Sequence, residues 1–140
     1  MPPEFSGVER RLEKLNSCLS DLEALKEKNQ KEFAGDSNLR AIVERNLELA
    51  CQCCIDIANR IISVEDIEKP TDYYSAIIKL GESNIIPLEF VTSFASVAGL
   101  RNILVHGYLE IDWGEVYQWL RRLDDFRKFV DSIRKYLATK

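Results

Sequence analysis

A chain of 140 residues has the usual size of one domain, and at that length about 68% of the unfolded surface is buried on folding, so one core over residues 1–140 is expected. Apolar residues at 46% and charged residues at 30% exclude a disordered or fibrous chain. A net charge of -4 excludes attraction to nucleic acid through a broad basic surface, so any such contact has to be local.

Val8, Leu12, Leu15, Leu19, Leu22 and Leu25 recur at steps of three and four and predict an amphipathic helix from about Phe5 to Lys28. Gly35-Asp36-Ser37-Asn38 reads as a turn with N-cap candidates. Leu39, Ile42, Val43, Leu47, Ala50, Cys51, Cys54, Ile55, Ala58, Ile61 and Ile62 then predict a long central helix. The pattern fades from Glu65 to Thr71. A short third helix follows from Pro70, Thr71 or Asp72 through Tyr73, Tyr74, Ile77, Ile78 and Leu80 and ends near Gly81. A fourth is expected from Pro87 to Val105 or His106, stopped by Gly107. Asp112 and Glu115 have the spacing of a capping-box-like start for a last helix, whose stripe runs Val116, Trp119, Leu120, Leu123, Phe126, Val130, Ile133 and Leu137. No segment reads as a strand. The expected fold is all-α, a single up-and-down bundle of four to five helices.

The longest apolar stretches, Ile85 to Val91 and Phe94 to Leu100, are interrupted by Pro87, Glu89 and small polar residues, short of the ~20 residues that cross a bilayer. No membrane segment is expected. Met-Pro-Pro-Glu-Phe-Ser at the start lacks a basic lead and an apolar run, which points to a cytoplasmic protein rather than a secreted one. Cys18, Cys51, Cys53 and Cys54 suit reduced structural thiols, because the last three point different ways around one helix and the lone histidine is remote; no metal site is expected. The cations Arg121, Arg122, Arg127, Lys128, Arg134 and Lys135 are interrupted by Asp124, Asp125 and Asp131 and read as a solvated helix face.

His106 is the only histidine, and so the only side chain whose ordinary titration lies near neutrality. It ends the segment Arg101-Asn102-Ile103-Leu104-Val105-His106, beside the carbonyl-rich end of the predicted helix. Arg101 lies five residues earlier, about 7.5 Å along the axis and about 140° around it, so the two side chains diverge within one copy. A homodimer with its two-fold axis near this helix end would bring both copies of each residue to one cleft. Such a cleft suits a phosphodiester: arginine offers a forked pair of donors to phosphate oxygens, and histidine serves as general acid or base, with no metal needed. Asn102 and Tyr108 add neutral donors, and the tyrosine ring suits stacking on an unpaired base. On the central helix Asn46, Asp56 and Arg60 fall within about 100° of one another, with Glu44 on the far side. They either brace Arg101 and line the cleft or form surface salt bridges such as Asp56 with Arg60. Tyr73 and Tyr74 read as core or dimer contacts, Trp119 as core, and Trp113 as unassigned.

Arg101, four residues, His106, one residue and Tyr108 resemble the R-x4-H-x-Y motif of the HEPN superfamily in the form found in HepT-like toxins. The blocks Val43 to Glu48, Cys54 to Arg60, Tyr73 to Leu88 and Arg101 to Asp112 are similar to successive blocks of that family in the same order. The resemblance implies a homodimeric, HEPN-like helical ribonuclease with Arg101 and His106 as the catalytic pair, no cofactor, and tRNA or mRNA as substrate. It also implies a minimal nucleotidyltransferase antitoxin as partner, which silences the toxin by transferring AMP to Tyr108. The alternative is a non-catalytic helical partner or substrate-binding subunit of the nucleotidyltransferase, a reading the acidic net charge favours. A third is a structural dimer in which His106 only caps its helix.

Overall fold

The computed structural model describes residues 2–107 and 109–140. After a 3-10 turn at Pro3–Phe5, the leucine stripe winds into α1 (Ser6–Glu23), with Val8, Leu12, Leu15, Leu19 and Leu22 all buried. The helix stops short of the predicted Lys28 because the backbone tightens into i–3 hydrogen bonds, Leu25 N–H to Leu22 O at 2.9 Å and Lys28 N–H to Leu25 O at 3.1 Å. A short helix that periodicity does not reveal, α2 (Gln30–Ala34), follows. Its start is a reciprocal capping box: Asn29 Oδ1 accepts from Glu32 N–H at 2.9 Å, and Glu32 Oε1 accepts from Asn29 N–H at 3.3 Å.

The central helix, α3 (Ser37–Val64), begins where Asp36 Oδ1 accepts from Leu39 N–H at 3.0 Å. It runs antiparallel to α1, since Arg60 Nε donates to Glu4 O at 3.0 Å while Arg11 Nε stands 3.6 Å from Asp56 Oδ2. Numbers that rise on one helix fall on the other. Asp66, at φ 55°, ends α3, and Ile67 N–H reaches back to Ile62 O at 2.9 Å. The next helix, α4 (Tyr73–Glu82), is capped by Asp72 Oδ1 accepting from Ser75 N–H at 2.7 Å. It outlasts Gly81: the left-handed residue that ends it is Asn84, at φ 61°. Gly81 instead permits a close approach, because a Cβ there would strike Val91 and stand 3.0 Å from Leu88 Cδ1.

Two predicted helices are each divided, so the expected count of four to five is too low. The segment from Pro87 to His106 is α5 (Leu88–Phe94) followed by α6 (Val97–His106). At the junction Thr92 Oγ1 donates to Leu88 O at 2.8 Å and Ser96 Oγ to Ser93 O at 2.9 Å, while Ala98 and Gly99 N–H bond three residues back. Hydroxyls that bond the preceding turn bend a helix without proline or glycine. The last helix is α7 (Trp113–Leu120) and α8 (Leu123–Ala138), parted at Arg121–Arg122 by the same i–3 bonding. Arg122 bridges the break, with Nε 3.0 Å from Asp125 Oδ2 and its guanidinium carbon 3.9 Å from the centre of the Trp119 ring. Asp112 Oδ1 caps α7 by accepting from Glu115 N–H at 3.3 Å, as its spacing predicts.

The described residues contain no strand. Their buried apolar side chains, Ile55 and Ala98 apart, join one cluster in which Phe94 lies 5.4 Å from Phe126 and 5.2 Å from Phe129, ring centre to ring centre. Trp119 belongs to it, and Trp113 is stacked 5.6 Å from Phe33 at its edge. α8 closes against α1 through Arg134 Nη1 to Glu9 Oε1 at 2.8 Å and Arg127 Nη2 to Glu23 Oε2 at 3.4 Å. Contrary to expectation, Leu88–His106 has the length and apolarity of a membrane-crossing helix, 19 residues at a mean hydropathy of 1.3. Here it is bent between Phe94 and Val97, and Val91, Phe94, Val97, Leu100 and Leu104 sit in the core.

Candidate active site

α6 divides its residues by period. Val97, Ala98, Leu100 and Leu104 are buried, which leaves Gly99, Asn102 and His106 along one exposed stripe at steps of three and four. Arg101 lies off that stripe, half-buried toward α3 and α4. Its Nε donates to Gln52 Oε1 at 3.1 Å, and its guanidinium carbon is 5.1 Å from the centre of the Tyr73 ring. Gln52 is itself held, with Nε2 donating to Asp56 Oδ1 at 2.8 Å, and the other Asp56 oxygen faces Arg11. A polar chain therefore runs from α1 through α3 to the motif arginine. It fixes the side chain before any ligand arrives, while among the described residues only Nε of the guanidinium has a hydrogen-bond partner. The Nη donors remain for an anion.

His106 sits in the last turn of α6 and is exposed. Among the described residues no hydrogen bond joins it to Arg101, in keeping with the ~140° between them on an ideal helix. Gly107 ends the helix at φ -90°, so its role is not left-handed geometry. A Cβ there would stand 2.5 Å from Ile103 O, the atom that accepts the Gly107 N–H at 2.9 Å. Only glycine lets the chain turn that tightly after the histidine. Tyr108 lies outside the described residues. Leu109, just beyond it, is 87% exposed.

Of the four polar residues singled out on the central helix, Asp56 alone reaches the site, and it does so through Gln52. Its ionic partner is Arg11 rather than Arg60, whose Nε is spent on Glu4 O. Asn46 donates to Ile42 O on its own helix at 3.0 Å. Glu44 lies near Arg40 and Trp113, where burial holds its carboxyl above the usual range. Gln52 was invisible to motif reading because it stands 49 positions from Arg101 and carries no charge. The one signal the sequence carries is a polar amide set between Cys51 and Cys53.

All four cysteines are free and buried. Burial pushes the Cys53 thiol up to about 11 and raises Cys51 and Cys54 too, so none is a thiolate nucleophile near neutrality. Among the described residues no three His, Cys, Asp or Glu side chains stand together as a metal-binding group.

The sequence model of the family described as ribonuclease HepT-like matches residues 11–133. A tRNA nuclease HepT of Aphanizomenon flos-aquae is 32% identical over 133 residues, which cover 94% of this chain and 90% of that one. An mRNA nuclease HepT of Shewanella oneidensis is 33% identical over 104 residues, covering 74% and 78%. In solved structures, a tri-AMPylated HEPN toxin of Shewanella oneidensis, in complex with an MNT antitoxin, has a TM-score of 0.83 to this fold. It is 26% identical, with 96% of this chain and 99% of that chain covered.

Proposed function

Because the chain belongs to the ribonuclease HepT-like family, we propose that it is an endoribonuclease, the toxin of a toxin–antitoxin pair, with residues 1–140 forming one HEPN-like domain. The observation that carries this reading is the arrangement of α6: an arginine fastened by Gln52 and Tyr73, and an exposed histidine one and a half turns later. Relatives named as tRNA and mRNA nucleases support RNA as the substrate class.

The cleft forms between two copies, whose two-fold axis passes near the end of α6 and brings both Arg101 and both His106 together. The Arg101 forks bind the scissile phosphate. One imidazole takes the proton of the ribose 2′-hydroxyl as its oxygen bonds to phosphorus. The bond from phosphorus to O5′ breaks, and the second imidazole supplies the proton that O5′ needs. The products are a 2′,3′-cyclic phosphate and a 5′-hydroxyl, reached without a metal. Asn102, exposed on the His106 stripe, supports the phosphate or the neighbouring base.

Tyr108, two residues beyond the histidine, is the acceptor of AMP from a nucleotidyltransferase antitoxin: its oxygen bonds the α-phosphorus of ATP and pyrophosphate leaves. A bulky anion beside the cleft then repels RNA. The fold's likeness to an AMPylated toxin held by its antitoxin supports this switch. The reaction takes place in the cytoplasm, where RNA and ATP are.

The test is cleavage of mixed cellular RNA by purified protein in excess EDTA, beside folded, dimeric His106→Ala and protein co-expressed with the nucleotidyltransferase. Cleavage that survives the chelator and is lost in both controls is expected. No cleavage by folded, unmodified protein would contradict the reading and favour the non-catalytic subunit.

A further inference from the structure

We propose that the groove between the start of α4 and the outer face of α6 is a nucleobase subsite, which holds one unpaired base of the RNA beside the phosphate gripped by Arg101. The proposal rests on the ribonuclease reading above and specifies where its substrate lies. The groove has a volume of about 570 Å³, and its walls include Asp72, Tyr73, Tyr74, Gly99 and Asn102.

Tyr73 and Tyr74 are 39% and 51% exposed, aromatic surface that the core does not use. Every base has a π-face, so such rings are matched by stacking whatever the sequence. The Tyr73 ring already carries the Arg101 guanidinium on its face at 5.1 Å. The phosphate-gripping cation and the aromatic wall are thus one unit, and a base in the groove belongs to a nucleotide next to the scissile bond.

The floor is open. A Cβ on Gly99 would meet nothing within 4 Å, so a flat ligand can approach the α6 backbone directly. Asn102 contributes a carboxamide, with donors and an acceptor for a base edge. Asp72 decides which part of a nucleotide enters. Its carboxylate is engaged by the Ser75 N–H at 2.7 Å, and that bond keeps it ionised to lower pH than an ordinary aspartate. A fixed negative charge at that end repels phosphate. The neutral base lies over Tyr74, and the backbone stays at the Arg101 end. A second copy of this chain is the competing occupant, and the experiment separates the two.

The measurement uses the full chain without its nucleotidyltransferase and a short single-stranded 2′-deoxy oligonucleotide with a central 2-aminopurine. This probe lacks the attacking hydroxyl and is bound without being cut. Stacking on a ring quenches its fluorescence. Wild-type protein is expected to quench it. Tyr74→Ala and, independently, the groove-filling Gly99→Leu should abolish the quench and weaken binding about tenfold, the scale of one lost base-on-ring stack. Tyr74→Phe should retain both, and the native mass should be the same in all four proteins. No quench by wild-type protein, or unchanged quench and affinity in Tyr74→Ala, would overturn the proposal. A fall in native mass in Tyr74→Ala would overturn it as well, by assigning the groove to contact between copies. Quenching by wild-type protein that cuts no RNA would sink the nuclease reading alone; cutting without quenching would sink the subsite alone.

Discussion

The middle of α6, at Arg101, and its end, at His106, differ more than their five-residue separation suggests. At Arg101 the side chain is half-buried, bonded to Gln52, laid on Tyr73 and braced through Asp56 to Arg11. At His106 the ring is exposed at a helix end that Gly107 closes. Arg101 has its geometry fixed inside a single copy; the His106 imidazole is held by no hydrogen bond among the described residues of that copy. The difference teaches that the packing of one copy holds Arg101 in place and leaves the His106 ring open, which is what the proposed two-copy cleft requires.

The largest test of that contrast is His106→Ala. RNA cleavage should fall at least a thousandfold, within the range by which general acid–base groups contribute, while the melting temperature stays within about 2 °C because an exposed ring supports little of the fold. Kinetics and thermal denaturation on one preparation check both halves. Gln52→Leu comes next. It keeps the side chain's bulk and removes the brace, so kcat/KM should fall about thirtyfold by misplacing the guanidinium. In an Arg101→Ala background the same change should cost nothing more, a non-additivity that a double-mutant cycle reads directly. Equal losses in both backgrounds would mean that Gln52 acts on stability and not on the arginine.

The two glycines of this region sharpen the comparison further. Gly107→Ala should destabilise by about 2 kcal/mol through the clash with Ile103 O, as read from denaturant midpoints. Gly99→Ala meets no atom and should stabilise α6 by up to about 1 kcal/mol, the helix-propensity difference between the residues. Destabilisation at Gly99 would show that its surface is already covered.

How far the sequence reveals these features follows from their range along the chain. Arg101, Asn102 and His106 share one helix, so periodicity alone places them and their divergence. The Asp112 cap is legible for the same reason, its bond spanning three residues, whereas for Asp36 and Asp72 the sequence offers neighbouring candidates and the structure selects among them. Gln52 is not legible, because its partner is 49 positions away and only the packing of α6 on α3 brings them together. The helix breaks at Ala95–Ser96 and Arg121–Arg122 were also hidden: no proline or glycine marks them, and apolar residues keep their helical spacing across both. α2 stays hidden although Asn29 and Glu32 carry a capping-box spacing, since five residues are too few to show a period.

The central claim is that catalysis needs residues from two copies in one cleft. It is tested most directly by co-refolding wild-type protein with increasing fractions of His106→Ala and measuring RNA cleavage at constant total protein. With one histidine required from each copy, activity falls as the square of the wild-type fraction, to about a quarter at equal mixing. A linear fall, to about half, would show that each copy cleaves on its own and would contradict the account.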